Sequence, residues 1–261
     1  CYNSCINIIR KGRYFMQIRY FREYSQNLDR FMEFKMYGHA GKMCFVFPCQ
    51  DGRFFEWEDR HMFEQVEDLI DQGRIQFCTV DSIDKETWSA FGNTAHRMRL
   101  QEQWVHYVMD ELVPSALYKA GLPADSKCMT MGASMGGTHA ANLFFRFPDR
   151  FDKVLGISGV YNMEEYYGGY HDENTYLNNP CAYLSMMDPN HPYIQKYNNS
   201  QIIFVVGQGS WEDVCKATLG ELASIMYEKG INAWVDFWGH DVYHDWPWWE
   251  LMIKYFLPQM V

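Results

Sequence analysis

Two stretches near the start of the chain alternate apolar and polar residues. The first covers residues 14–20. In the second, residues 31–37, Met32, Phe34 and Met36 share one face and Glu33 and Lys35 the other. A period of two predicts antiparallel strands at a sheet edge, with one face wet. Six later runs, at residues 43–47, 75–80, 129–131, 154–157, 202–206 and 233–238, are apolar on both faces. Such runs predict a mostly parallel sheet covered by helices on both sides.

Helical spacing falls between these runs. Phe63, Val66 and Ile70 repeat at i, i+3 and i+7, with Gly73 placed to end the helix. Leu219, Leu222, Ala223 and Met226 form a second stripe, closed by Gly230. A third helix is predicted over residues 97–112, stopping near Pro114, and a last one over residues 246–256. The alternation of strand and helix predicts a doubly wound α/β fold in a single domain over residues 1–261. Residues 161–200 break the alternation. They are rich in Tyr, Asn, Gly and Pro, and an irregular stretch of that length reads as a lid or binding excursion packed by its own aromatics.

Composition narrows the function. A net charge of −10 excludes a nucleic-acid binder, which needs a basic surface to neutralise phosphates. No apolar run is long enough to span a bilayer, so membrane insertion is not expected. The eight cysteines form no Cys-x-x-Cys pair, which gives a zinc site no support. Several sit in apolar runs as small hydrophobes, and free thiols point to a reducing, cytoplasmic compartment, unless a targeting segment has been removed. A homo-oligomer is compatible with this composition.

The sharpest chemical signal is Gly132-Ala133-Ser134-Met135-Gly136-Gly137. It follows a short apolar strand and precedes a helix predicted over residues 138–146, which is the strand–turn–helix setting of a G-x-S-x-G nucleophile elbow. A serine at a helix N-terminus needs a base, and the base needs a carboxylate to orient it. Two loops at strand C-terminal ends supply candidates in the order serine, acid, histidine. Gly207-Gln208-Gly209-Ser210-Trp211-Glu212-Asp213 offers two carboxylates. Gly239-His240-Asp241-Val242-Tyr243-His244-Asp245-Trp246 offers two histidines. The histidines are spaced as in metal-binding helices, but Gly239 and Pro247 bracket a loop, so no metal is expected there. His139, inside the elbow helix, reads as a packing or surface residue, and Cys49 as a buried thiol.

The elbow, together with Phe147-Pro148-Asp149-Arg150-Phe151-Asp152 and His244-Asp245-Trp246-Pro247-Trp248-Trp249, resembles the putative esterase family of α/β-hydrolases, related to S-formylglutathione hydrolases, feruloyl esterases and mycolyltransferases. The resemblance spans about residues 40–258. It implies an α/β-hydrolase fold with antiparallel N-terminal edge strands, and a serine esterase using an acyl-enzyme on a small-molecule ester, with no cofactor. It points to His244 as base and, through the acid loop of the mycolyltransferases, to Asp213, with Glu212 as the alternative. The backbone N–H groups of Met135 and Gln50 would form the oxyanion hole. The usual His-Gly or Asp-Gly pair before that second donor is replaced by Pro48-Cys49. Trp211, Trp246, Tyr166 and Tyr167 are candidate substrate contacts. Two other readings of the same scaffold are an acyltransferase to a sugar or alcohol, and a silent carbohydrate-binding protein.

Overall fold

Residues 6–8 and 16–261 are described in a computed structural model of the chain. Among these residues, nine strands form one sheet in the order β1-β2-β3-β5-β4-β6-β7-β8-β9. They are β1 (Ile6–Ile8), β2 (Gln17–Ser25), β3 (Arg30–Tyr37), β4 (Lys42–Phe47), β5 (Ile75–Val80), β6 (Cys128–Ala133), β7 (Phe151–Ile157), β8 (Gln201–Val206) and β9 (Trp234–Phe237). The first three are antiparallel, β3 pairs antiparallel to β5, and every later pairing is parallel. This is the α/β-hydrolase architecture expected from the sequence.

Local pattern accounts for each layer. In β3, Met32, Phe34 and Met36 are buried while Phe31 is exposed, as the alternation requires. Tyr14 and Phe15, assigned to the first alternating stretch, lie outside the described residues, and β2 runs five residues beyond that stretch. The strands β4, β5, β6 and β8 are buried along nearly their whole length. The last strand departs from expectation. Trp234 and Phe237 of β9 are exposed, because β9 is the sheet edge and has a neighbour on one side only.

Among the described residues, ten α-helices cover the sheet or lie in its loops. They are α1 (Glu56–Asp59), α2 (Glu67–Asp71), α3 (Thr94–His106), α4 (Val113–Lys119), α5 (Met135–Arg146), α6 (Glu173–Leu177), α7 (Pro180–Met186), α8 (Pro192–Asn198), α9 (Asp213–Glu228) and α10 (Trp246–Phe256). One apolar layer joins α4, α5 and α9 to one face of the sheet through Leu117, Phe144, Phe145, Leu219 and Leu222. A second joins α2 and α10 to the other face through Ile70, Trp249, Met252 and Phe256. Each fully buried side chain of this size contributes roughly 1.5–3 kcal/mol.

Pro114 does not stop the third helix. The chain passes from α3 through a wider π-helical turn, Tyr107–Leu112, and Pro114 lies in the first turn of α4. A proline lacks an N–H and crowds the carbonyl four residues before it. The wider turn immediately upstream is the kind of adjustment that lets a helix run on through a proline.

The stretch over residues 161–200 is less irregular than its composition suggests. It carries a 3₁₀ turn, Glu164–Tyr166, then α6, α7 and α8. Polar residues build these short helices: Asp172 caps α6 with a capping box, and Asn179 caps α7, with Pro180 in its first turn.

Candidate active site

Ser134 ends β6 and caps α5 with φ 56° and ψ −129°. A non-glycine residue at positive φ is strained, and such strain concentrates where function requires a particular side-chain direction. The fold holds the strain from both sides. The Ser134 N–H donates to Ile157 O at 2.9 Å, and Ser134 O accepts from Gly137 N–H at 2.9 Å. Gly136 must be a glycine here, because a Cβ at that position would collide with the backbone carbonyls of Phe47 and Pro48. The elbow helix therefore starts directly after the serine, three residues earlier than its sequence pattern indicates.

Two further loops converge on Ser134 from the C-terminal ends of β8 and β9. They are stitched together by backbone bonds, Gly209 N–H to Val242 O at 2.7 Å and His244 N–H to Ser210 O at 3.0 Å. A side chain on Gly209 would strike Val242 O and His240 O, so its absence permits the close approach. In this arrangement His244 Nε2 lies 2.9 Å from Ser134 Oγ. Its Nδ1 lies 3.1 Å from Glu212 Oε2. The Trp249 ring meets the imidazole edge-on at 4.9 Å between centroids and limits its rotation.

The acid contacting His244 is Glu212 and not Asp213. Glu212 is fully buried in the turn before α9, whereas the Asp213 carboxylate is 87% exposed and faces Lys216. Glu212 is held by a residue that the sequence reading missed. Ser158 Oγ donates to Glu212 Oε1 at 2.6 Å, and Trp249 Nε1 in turn donates to Ser158 Oγ at 3.2 Å. Ser158 follows β7, is completely buried, and also adopts positive φ, 48°. The only sequence signal for it was its place in Ser158-Gly159, at a strand C-terminal end.

His240 is exposed on the loop, away from these contacts. His139 is buried against Phe47 and Trp104 and pairs with Asp84 at 3.0 Å, a packing position. Burial pushes the Cys49 thiol well above its ordinary value.

Two backbone N–H groups were candidates for an oxyanion hole. Among the described residues, neither Met135 N–H, at the start of α5, nor Gln50 N–H, in the turn after β4, donates to a protein acceptor. The Gln50 turn is fixed from behind, since Glu56 Oε2 accepts the Cys49 N–H at 2.7 Å. Burial raises the Glu56 carboxyl above its usual range.

The four aromatic candidates separate. Trp211 is 86% exposed beside Glu212, at φ 69°. Tyr166 packs edge-on against Trp88, and Arg97 holds its carbonyl at 3.0 Å. Tyr167 is buried, and its hydroxyl is committed to Thr175 O and Asn178 O, which leaves it a structural part of the excursion. Trp246 packs against Trp57 and Trp249. Met135, Met163, Tyr167, Trp88 and Met98 form one apolar cluster, which joins the excursion and the residue next to Ser134 in one packed group.

A strained serine, an imidazole at hydrogen-bond distance, a buried carboxylate behind it and a free amide at the start of α5 form an arrangement suited to acyl transfer. Residues 25–255 match the family model described as "Putative esterase". The chain belongs to that family. It is accordingly an esterase, with small-molecule esters as its substrate class. Among curated proteins none matches it. Among solved structures it is similar to a ferulic acid esterase (TM-score 0.74, 14% identity, 95% of this chain and 98% of that one). It is also similar to an S-formylglutathione hydrolase from Agrobacterium tumefaciens (0.71, 14%, 98% and 98%). A third is the fluorophosphonate-binding serine hydrolase F of Staphylococcus aureus (0.68, 11%, 94% and 98%). At these identities the three likenesses bear on the fold. No helix among the described residues is long and apolar enough to cross a membrane.

Proposed function

We propose that the esterase hydrolyses carboxylic esters through an acyl-enzyme on Ser134, with His244 as general base and Glu212 as the acid that orients it. His244 Nε2 takes the hydroxyl proton as Ser134 Oγ attacks the ester carbonyl, and it returns that proton to the departing alcohol. The Met135 and Gln50 N–H groups stabilise the oxyanion, which is worth most where the donors are fixed in advance. Water activated by the same imidazole then releases the acid and frees the serine.

The observation that carries this reading is the continuous hydrogen-bonded run Ser134–His244–Glu212–Ser158–Trp249. The test is turnover of a panel of nitrophenyl and feruloyl esters by the wild type and by Ser134→Ala. The wild type is expected to release acid from at least one ester, and the variant to lose about five to six orders of magnitude in kcat while keeping its circular dichroism spectrum. Wild-type-like turnover by the folded variant would refute the proposal.

A further inference from the structure

One group at the acid end of this site is unused by the reaction. Cys215, in the first turn of α9, is buried, and its Sγ lies 3.9 Å from His244 Nδ1. The same nitrogen is 3.1 Å from Glu212 Oε2. One sulfur, one imidazole nitrogen and one carboxylate oxygen thus lie within 4.8 Å of one another. These are the three donor types that zinc takes. Zinc–ligand lengths of about 2.3 Å to sulfur and 2.0–2.1 Å to nitrogen or oxygen, at tetrahedral angles, put sulfur about 3.6 Å from nitrogen and nitrogen about 3.4 Å from oxygen. The sulfur–nitrogen distance of 3.9 Å and the nitrogen–oxygen distance of 3.1 Å lie within a few tenths of an ångström of these values.

We propose that Glu212, Cys215 and His244 form a site for zinc or a similar thiophilic divalent cation, and that its occupation switches the esterase off. The inhibitory part rests on the assignment of His244 as base. In the active state the ring carries its proton on Nδ1, directed at Glu212, and offers the Nε2 lone pair to Ser134. A cation bound at Nδ1 takes the electron pair of that nitrogen, so the Nδ1 proton moves to Nε2, while the Cys215 thiol loses its proton to solvent. One proton leaves per cation bound, and no electron is transferred. A ring protonated on Nε2 cannot accept the Ser134 proton. Glu212 keeps Ser158 on Oε1 and presents Oε2 to the cation.

The test uses wild type and Cys215→Ser, each purified with a chelator and compared with its own chelator-treated activity. Zinc at saturation should lower wild-type turnover by about a thousandfold or more, since a histidine in the wrong tautomer loses about four orders of magnitude. Chelation should restore it. In Cys215→Ser the half-inhibiting zinc concentration should rise by about tenfold or more. Cobalt(II) should give the wild type a thiolate-to-metal charge-transfer band that Cys215→Ser lacks, a readout that needs no turnover. Equal zinc sensitivity in both proteins, or no cobalt band in the wild type, would overturn the proposal. A cobalt band in a wild type that turns over no ester would support the site and count against the esterase mechanism alone, so the two failures are distinguishable.

Discussion

Glu212 and Asp213 are neighbours in sequence and opposites in environment. Consecutive residues entering a helix point about 100° apart, so only one of the two can face β9 and its histidine loop. The chain turns at Trp211, whose φ is 69°, and this directs the Glu212 side chain inward while leaving Asp213 in solvent beside Lys216. Residue pattern alone left both carboxylates open, and the spacing of related proteins pointed to Asp213. The expected outcome is asymmetric: Glu212→Gln should lower kcat by about three to four orders of magnitude, and Asp213→Asn should leave it within a few-fold of wild type. Steady-state kinetics on one nitrophenyl ester decides this, and the reverse ranking would return the acid role to Asp213. Ser158→Ala removes one charge-assisted hydrogen bond from Glu212. Such a bond is worth roughly 1.5–3 kcal/mol, so kcat should fall about ten- to a hundredfold with little change in KM. A kcat unchanged by Ser158→Ala would show that Trp249 and the loop packing suffice to hold the acid.

At the scale of elements, the elbow depends on backbone meeting backbone. Gly136→Ala would push a methyl group against the carbonyls of Phe47 and Pro48. Overpacking of this kind costs roughly 1–3 kcal/mol, and backbone neighbours cannot rotate away, so calorimetry should show a Tm lowered by about 2–12 °C. An unchanged Tm would mean that α5 can slide on the sheet. The elements most legible in the sequence were those whose pattern is set by burial alone. Met32, Phe34 and Met36 gave β3 its inner face, and the uniform apolar runs gave the central strands. What escaped depended on neighbours distant in sequence. Trp234 and Phe237 look like core residues until β9 is placed at the edge. Pro114 looks like a terminus until the π-turn before it is seen. Asn179 and Asp172 look like loop residues because capping residues are polar, although they start helices. Ser158 escaped because its role depends on Glu212, 54 positions away.

At the scale of the molecule, three crossovers bring Ser134, Glu212 and His244 to the C-terminal ends of β6, β8 and β9, along one edge of a sheet whose central strands are buried on both faces. Binding grooves form at that edge in open α/β sheets, because the loops there are free to vary while the strands stay packed. The excursion over residues 161–200 leaves from the same edge after β7, and Arg97 and Thr94 tie it down through Tyr166 O and Tyr167 O. The central claim is that this convergence makes one hydroxyl, that of Ser134, a nucleophile. Exposure of the folded wild type to a fluorophosphonate, followed by peptide mass mapping, tests this without knowledge of the natural ester. One phosphonyl group per chain is expected, on the peptide containing Ser134, absent from Ser134→Ala and formed far more slowly in His244→Ala. Stoichiometric labelling of a different residue, or none in a folded chain, would contradict it.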